Sequence, residues 1–429
     1  MQPLPTSALP PPSWPWWRQL LFRFSALYLV LYIAPWSWLS EVPGLGVTAR
    51  YAAAAENQLV TLGNTYLFRV RPVLVPLNGS GDTSYGYAQL CLYTLVAVAG
   101  TVLWTAFDRR KNYATGYYWL LVLVRYCVAL TALSYGIIKL FGQQMVFPSL
   151  SALATPLGDL LPMRLSWYFI GYSGPYQFFS GAAEVLAGAL LLWRRTSTLG
   201  ALVATGVFLN VLMLNLCYDI PVKLFSLHLF ALSGFLLLGD AERLFNFFIL
   251  NRPAPPVPAR PLLSWRWRIA QLTLKTIFIG LFALLPFYEL YRSTAQASRA
   301  AAGRLTTGVF EVVRFASARP GPDSLRWKDV IFEPTAEGSI LTADTLLRQR
   351  YRRGYFSYVR DSAQRTLAFK RRSTDSLAQF TLHYAMSDSN SLVLRGQIRQ
   401  DSVLVVLRRQ HRHFQLAERQ FHWLSEANR

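Results

Sequence analysis

Acidic residues are scarce in this chain. Only 22 of its 429 residues are Asp or Glu, against 43 Lys and Arg, and charged residues make up 15% of the sequence. Soluble domains average about 25%. The hydrophobic fraction is 53% and the mean hydropathy is +0.25. This balance favours a membrane protein whose basic residues lie in loops, so the lipid bilayer is the expected partner and nucleic acid is not.

Cysteine is also rare. The three cysteines are Cys91, Cys127 and Cys217, and none belongs to a CxxC pair. A dithiol redox site with local spacing is therefore excluded, and packing between helices is the expected role of these side chains. Residues 1–17 are rich in proline and carry no Lys or Arg, which is not the pattern of a cleaved signal peptide.

Several apolar stretches are long enough to cross a bilayer, which takes about 20 residues. There are seven: 18–39, 87–107, 117–140, 176–193, 198–217, 222–239 and 268–288. The links after the second, fourth and sixth stretches are all basic. The positive-inside rule then predicts a multi-pass protein of the cell inner membrane, with a cytoplasmic N-terminus and a periplasmic C-terminal domain.

Two outer loops in this arrangement are long. Residues 40–86 contain NGSGDT (78–83), which resembles a calcium-binding loop but lacks regularly spaced ligands. Residues 141–175 are rich in proline, glycine and aromatic residues, which predicts a short interfacial helix and a re-entrant cap.

The pattern changes at about residue 300. Short runs of alternating apolar and polar residues predict strands at 308–315, 328–333, 354–360, 365–370, 378–386, 391–399, 402–409 and 413–423. We therefore expect an all-β antiparallel domain, either a barrel or a sandwich. The predicted organisation is a tail with two spans (1–116), a four-helix membrane core (117–240), a Pro-rich link with the last span (241–299) and the β-domain (300–429).

Glu184 lies near the middle of the apolar stretch 176–193. A charged residue at the bilayer centre costs roughly 2.5–3.5 kcal/mol on insertion scales, so such a residue is a candidate for function. Arg125 and Lys139 lie on nearly one face of the stretch 117–140. Lys139 is near enough to the outer end to reach the interface, so Arg125 is the expected partner of Glu184. The pair is interpreted either as a clamp between helices or as a substrate or proton site.

Other polar groups lie in or beside the apolar stretches. His228 is the one histidine within them, which excludes a bis-histidine haem inside this chain; it is interpreted either as packing or as a proton relay with Glu184. Asn210 suits a contact between helices, and Asp219 is expected to pair with Lys223 at the outer rim. The histidines of the β-domain lack a clear third ligand, so no metal site is expected.

Residues 125–240 resemble the DoxX-like family of four-helix membrane proteins. The resemblance rests on RYCVALTALSYGIIKL (125–140), GAAEVLAGALLLWRRTSTLGAL (181–202) and HLFALSGFLLLGD (228–240). With the outer GSGD loop, the YDIPVKL turn and the ending FQLAERQFHWLSEANR (414–429), the chain is similar to DoxX-like proteins of Bacteroidetes-type bacteria. The resemblance implies a four-helix membrane core, and some members of the family resemble the membrane subunit of a thiosulfate:quinone oxidoreductase.

Two hypotheses follow. In the first, the protein is a quinone-linked redox membrane subunit with an electron-donating protein partner. Its headgroup pocket has Glu184 and His228 as catalytic groups, and the substrate-binding residues are Arg125, Lys139, Asn210, Asp219 and Lys223. In the second, it is a non-enzymatic envelope scaffold or assembly protein whose outer β-domain binds a partner or an apolar ligand.

Overall fold

A computed structural model describes residues 13–42, 44–79, 81–254, 265–297, 305–317, 326–419 and 421–424. The chain divides into two compact units. A helical unit contains residues 1–144 and 175–289, and a barrel unit contains residues 145–174 and 290–429. The Pro-rich segment 255–261 of the predicted link lies outside the described residues.

The helical unit is built from long apolar helices joined by short links. Its described helices are α1 (Trp16–Ile33), α2 (Gly46–Gly63), α3 (Ser84–Phe107), α4 (Ala114–Leu140), α7 (Gly174–Leu192), α8 (Ser197–Cys217), α9 (Lys223–Leu238), α10 (Ala241–Phe248), α11 (Trp265–Ile279) and α12 (Leu285–Ala297), the last of which crosses the boundary between the units at residue 289. A π-helical turn at Gly280–Leu284 joins α11 to α12, and this turn packs on α4. Helix α1 packs on α3, and α8 packs on α9.

The number of spans differs from the prediction of seven. Among the described residues, five helices are long and apolar enough to cross a membrane, or up to six if the bent pair α9–α10 counts as one. The predicted span 176–193 forms a helix, α7, but it is not among them. Its sequence, GPYQFFSGAAEVLAGALLL, includes the polar residues Gln177 and Glu184. Several long apolar helices nevertheless remain, and they fit a membrane protein.

The long loop 40–86 holds a helix that the sequence analysis missed. Helix α2 occupies Gly46–Gly63 and packs on α3. Its sequence, GVTARYAAAAENQLVTLG, has strong helix formers but a four-alanine run in place of a wide apolar face. That composition gives no signal of a membrane span, so the apolar pattern alone does not predict this helix.

The barrel unit is a closed eight-stranded barrel in which every strand pairs antiparallel with the next and β1 pairs with β8. Its strands are β1 (Gly308–Ser317), β2 (Trp327–Phe332), β3 (Glu337–Thr342), β4 (Arg353–Asp361), β5 (Thr366–Lys370), β6 (Phe380–Asp388), β7 (Ser391–Ile398) and β8 (Asp401–Gln410). The predicted all-β antiparallel class is confirmed for this region, and the alternative of barrel or sandwich is decided as a barrel.

One strand was missed and one strand prediction was wrong. Strand β3 was missed because its sequence, EGSILT, is short and carries only one run of apolar residues. The run 413–423 was predicted as a strand, but Gln415–Glu418 form one helical turn, α13. The carboxylate of Glu418 accepts the amide proton of Phe414 at 3.0 Å and contacts His413 at 3.1 Å, so local hydrogen bonds favour the turn over an extended chain.

Aromatic and branched side chains fill the barrel. Buried residues from all eight strands form one core, which includes Phe310, Trp327, Val330, Phe332, Ile340, Phe356, Tyr358, Leu367, Phe369, Phe380, Leu382, Leu392, Leu394, Val405 and Leu407. A small barrel of eight strands has an interior just wide enough for its own side chains. This interior is therefore a packed core and not a channel.

Residues 145–174 belong to the barrel unit. They form α5 (Leu150–Leu153), a 3₁₀ turn (Leu157–Asp159) and α6 (Pro162–Tyr172). The expected short helix is present as α6, and the segment belongs to the barrel unit, where α5 contacts β2. The chain thus passes between the two units three times, after residues 144, 174 and 289.

Candidate functional site

Helices α4 and α7 of the helical unit contact each other closely through glycines. A methyl group on Gly136 would lie 2.8 Å from the carbonyl oxygen of Gly181, and one on Gly188 would lie 3.0 Å from that of Ala129. Because both positions lack a side chain, the two backbones approach each other directly. The same contacts show that α4 and α7 run antiparallel, with residue 136 level with 181 and residue 129 level with 188.

Lys139 and Glu184 form a buried ion pair across this contact. Their side chains are 7% and 2% exposed, and the Lys139 Nζ donates to Glu184 Oε1. The other carboxylate oxygen, Oε2, is buried and has no hydrogen-bond partner among the described residues. Desolvated charges of opposite sign stabilise each other only when they are paired, so neither partner can be removed without cost to the other.

The predicted pairing of Glu184 with Arg125 was wrong. On the register of the glycine contacts, Leu133 is level with Glu184, so Lys139 lies about 9 Å above that level and Arg125 about 12 Å below it. Side chains on a helix lean towards its N-terminus. In this antiparallel pair Lys139 leans down towards Glu184 and Glu184 leans up towards Lys139, whereas Arg125 leans away from both.

Arg125 has other neighbours. Its guanidinium carbon lies 5.3 Å from the ring centre of Tyr126, and its Nε is buried without a hydrogen-bond partner among the described residues. A guanidinium over an aromatic face is attracted by the negative face of the ring, and the attraction is stronger where the cation is desolvated. Arg125 therefore contributes to a different part of α4 from the one that holds Lys139.

His228 packs against two tyrosines of α1. Its Nδ1 is 2.7 Å from the Leu224 carbonyl oxygen, and its Nε2 is 2.7 Å from the Tyr28 hydroxyl. A carbonyl only accepts, so in the neutral ring Nδ1–H donates to Leu224 and Nε2 accepts from Tyr28. The Tyr32 ring stacks on the imidazole with centroids 3.9 Å apart. Both ring nitrogens are thus used by protein groups, and no contact with Glu184 is recorded among the described residues.

The remaining predicted site residues lie on α8 and beyond it. Asn210 is exposed on α8 and is not packed between helices in the part of the chain that the structure describes, whereas Asn215 is buried, 5% exposed, with its side-chain nitrogen 3.5 Å from the Val222 carbonyl oxygen. The ion pair predicted between Asp219 and Lys223 is present at 2.7 Å. The Asp219 side chain is 81% exposed, so this pair contributes little to stability.

The loop around NGSGDT and the YDIPVK turn form one structure. The two carboxylate oxygens of Asp82 accept the amide protons of Lys223 and Leu224, at 2.8 and 2.9 Å, where α9 begins. Gly81 donates its amide proton to the Pro221 carbonyl at 3.0 Å, and the Thr83 hydroxyl caps α3 by accepting from Gly86. Asp82 is thus the cap of α9, a role that uses its oxygens for amides.

Asp82→Ala is expected to lower the free energy of unfolding by about 1–2 kcal/mol, because two amides at the start of α9 lose a charged acceptor. Hydrogen exchange followed by mass spectrometry should show faster exchange in 222–226 than in the wild type. Asn78→Ala, in the same loop and exposed, serves as the control. If calcium raised the melting temperature of the wild type and not of the variant, the loop would be a metal site and the cap interpretation would fail.

Two polar clusters were not found by sequence reasoning. Arg23 of α1 is 3% exposed and donates to the Tyr113 hydroxyl, to Thr105 Oγ1 at 2.7 Å and to the Asp108 carbonyl at 3.2 Å. The indole N–H of Trp104 and the amide of Arg110 hold the pKa of Asp108 below its usual range. The signal available in the sequence was an Arg within an apolar stretch, the same signal that singled out Arg125.

The second cluster joins α2 to α3. Gln89 and the Tyr93 hydroxyl both donate to Glu56 Oε1. Tyr93 is 6% exposed, so its hydroxyl needs such an acceptor. The cluster was missed because α2 itself was not predicted.

A buried polar chain joins α5 to the barrel strands. Glu333 accepts from the amide and hydroxyl of Ser151, at 2.8 and 2.6 Å, and the Ser151 hydroxyl accepts from that of Ser339 at 2.7 Å. Arg353, 1% exposed, donates from Nε to Ser339 at 2.7 Å and pairs with Asp329. This buried polar chain of side chains holds residues 145–174 onto the barrel.

No group of three or more His, Cys, Asp or Glu side chains within the described residues could hold a metal ion.

The fold that emerges is a set of apolar helices joined to a closed antiparallel barrel. No family model matches the chain, and no solved structure matches it. An uncharacterized protein of Bacillus subtilis (strain 168), YwoB, is 37% identical over 84 residues, which is 20% of this chain and 54% of that protein. The chain therefore spans about half the length of this relative, and the similarity assigns no activity.

Proposed function

We propose that this protein is a non-enzymatic membrane scaffold, in which the apolar helices anchor the chain and the barrel binds a protein partner through its outer surface. The observation that supports this proposal is the separation of the intramembrane polar groups. Lys139 pairs with Glu184, Arg125 stacks on Tyr126, and His228 bonds to Tyr28 and Leu224. The Lys139–Glu184 pair joins α4 to α7 and the His228–Tyr28 hydrogen bond joins α9 to α1, whereas Arg125 lies against a tyrosine of its own helix. The first two are the arrangement of clamps between helices, and no contact among the three groups is described.

The proposal includes a seventh span and an orientation. In a bilayer, α7 can cross because Lys139 offsets the charge of Glu184. With α7 included, the basic links 108–112, 194–196 and 241–266 fall on one side, which the positive-inside rule makes cytoplasmic. The barrel then lies on the outer side of the inner membrane. A DoxX-like four-helix core at 117–240 belongs to the same proposal.

The filled barrel interior supports a surface partner over an apolar ligand. Phe310, Phe332, Phe356 and Phe369 are all buried in one core. An apolar ligand inside the barrel would have to displace such side chains from a close-packed core. A partner is therefore expected on the outside of the strands.

A second candidate function rests on one observation. Glu184 Oε2 is buried without a hydrogen-bond partner among the described residues. An orphan carboxylate oxygen in an apolar setting suits a hydroxyl donor, such as the hydroxyl of a quinol. The quinone pocket would then be limited to Lys139 and Glu184, and an electron-donating partner would still be required.

Mass spectrometry of lipids extracted from the purified protein distinguishes the two candidates. Wild type, Glu184→Gln and Asp219→Asn are compared, the last as a matched change in an exposed pair. For a scaffold we expect no quinone at a stoichiometric level in any sample. Quinone near one per chain in the wild type and in Asp219→Asn, but lost in Glu184→Gln, would overturn the scaffold proposal and support the quinone-linked one.

A further inference from the structure

Helix α10 leaves the end of α9 at a sharp angle within the helical unit. The two helices are bent by 78° where Gly239 and Asp240 join them. The Asp240 carboxylate accepts from the Thr198 hydroxyl in the first turn of α8 and pairs with Arg243 at 2.7 Å. Because Thr198 follows the basic link 194–196, α10 begins at the end of the unit where α7 and α8 are joined. If α9 crosses a bilayer, α10 therefore runs nearly parallel to its surface.

One face of α10 is apolar and exposed. Phe245, Phe247 and Phe248 are 54%, 62% and 62% exposed. At 100° per residue, these three side chains and Leu244 fall on an arc of about 160°. Glu242 lies about 140° from the middle of this arc, on the polar side of the helix. This apolar arc is left uncovered by the described residues, and its width is that of a helix lying at a membrane interface.

The end of α10 is fixed by backbone hydrogen bonds. The Leu250 amide donates to the Phe245 carbonyl at 3.1 Å, and the Arg252 amide donates to the Asn246 carbonyl at 2.9 Å. Asn251 has a left-handed φ of 50°, a conformation that Asn adopts more readily than most residues. These bonds satisfy carbonyls that a helix end otherwise leaves open. The apolar arc is therefore built on a regular helix that is held at both ends.

We propose that α10 lies in the headgroup layer of an anionic phospholipid membrane, with the phenylalanines of its apolar arc at the boundary of the acyl chains. An amphipathic helix parallel to the surface buries such an arc without crossing the bilayer. The inference rests on the proposed function, because α9 must cross the membrane. It adds a lipid-binding surface to helices that otherwise serve as an anchor.

Two observations favour a lipid surface as the occupant of the arc. First, only two residues separate α10 from α9, so the arc begins where an apolar helix ends. Second, residues 241–268 contain five Arg and one Glu, and the link 193–196 adds Arg194 and Arg195 without an acid. Cations beside an apolar surface match anionic headgroups above acyl chains. A protein partner would have to supply both an apolar groove and several acidic groups.

The test uses the full chain in vesicles of phosphatidylcholine, with or without phosphatidylglycerol. The three cysteines are replaced by alanine, and one nitroxide spin label is attached at Phe248→Cys in the arc or at Glu242→Cys on the polar side. Phe245→Cys is a second site in the arc, and Leu209→Cys, at a 42% exposed position of α8, reports on membrane insertion. The measurement is the ratio of collisions with oxygen, which concentrates in lipid, to collisions with a water-soluble nickel complex.

We expect the ratio to be several-fold higher at positions 245 and 248 than at position 242, and to rise further at 248 with phosphatidylglycerol. The double change Arg195→Glu and Arg252→Glu, at two exposed arginines, should remove that rise. If phosphatidylglycerol had no effect before this change, the preference for an anionic surface would be overturned.

Four other results separate the possible failures. Low ratios at 242, 245 and 248 with a high ratio at 209 would overturn the interfacial position of α10 alone. A low ratio at 209 would overturn the membrane arrangement of the proposed function as well. Equally high ratios at 242 and 248 would place α10 inside the bilayer as part of a broken span, against the proposal. A label at 248 that collides with neither reagent would mean that protein covers the arc, which also contradicts it.

Discussion

Glu184→Leu is expected to lower the free energy of unfolding of the helical unit by about 3–5 kcal/mol, because it leaves the Lys139 ammonium buried without a counter-charge. The Lys139 side chain is 7% exposed, so water cannot replace the lost carboxylate. Thermal unfolding of the full chain in detergent, followed by the loss of the monodisperse peak in size-exclusion chromatography, measures the change.

The double variant Lys139→Met and Glu184→Leu separates charge from packing. Replacing both members of a buried pair by apolar residues of similar size is often neutral or stabilising, so the double variant should recover most of the loss. Asp219→Asn removes one charge from an exposed pair and should change the stability by less than about 1 kcal/mol. If Glu184→Leu were as stable as Asp219→Asn, the pair would not be the clamp between α4 and α7.

Arg353→Leu is expected to lower the free energy of unfolding of the barrel unit by about 3 kcal/mol or more. The guanidinium is 1% exposed and satisfies Asp329 and the Ser339 hydroxyl. Without the guanidinium, Asp329 and the Ser339 hydroxyl each lose a hydrogen-bond partner inside the protein. Their desolvation is then no longer offset, which lowers the stability of the barrel unit. Hydrogen exchange with mass spectrometry should show faster exchange in β2, β3 and β4, and in residues 150–155.

The adjacent arginine is the matched control. Arg352→Leu removes the same side chain one residue earlier, where it is 73% exposed and contacts Asp159 at 3.2 Å. A loss below about 1 kcal/mol is expected for such a surface pair. Equal effects of the two variants would contradict the assignment of Arg353 as the residue that joins β2, β3 and the α5 segment.

Local periodicity was enough to predict much of this fold. Seven of the eight barrel strands follow runs in which apolar residues alternate, and the long helices follow the apolar stretches. Alternation and apolar length are properties of neighbouring residues, so they can be read without knowing the tertiary contacts. Strand β3 shows the limit, because a six-residue run without clear alternation carries too little of that signal.

The partner of Glu184 could not be predicted in the same way. Arg125 and Lys139 share one face of α4, and the sequence does not say which level of α7 lies opposite each of them. That level is set by the glycine contacts at Gly136 and Gly181. Because helix side chains lean towards the N-terminus, Lys139 then points towards Glu184 and Arg125 points away from it. The role of Asp82 was hidden for a similar reason, since the start of α9 lies 141 residues further along the chain.

The position of residues 145–174 has a consequence for the synthesis of the protein. The amide of Ser151 donates a hydrogen bond to Glu333, 182 residues later in the chain. One edge of β1 stays unpaired until β8 has been synthesised, because β8 is its partner on that side. During translation the helices up to α12 are complete while the buried face of α6 and one edge of the growing sheet are still open. Chains that stop before β8 keep an unpaired strand edge, which is prone to aggregation. Closure of the barrel is therefore the event that separates a finished molecule from one that cellular quality control should remove.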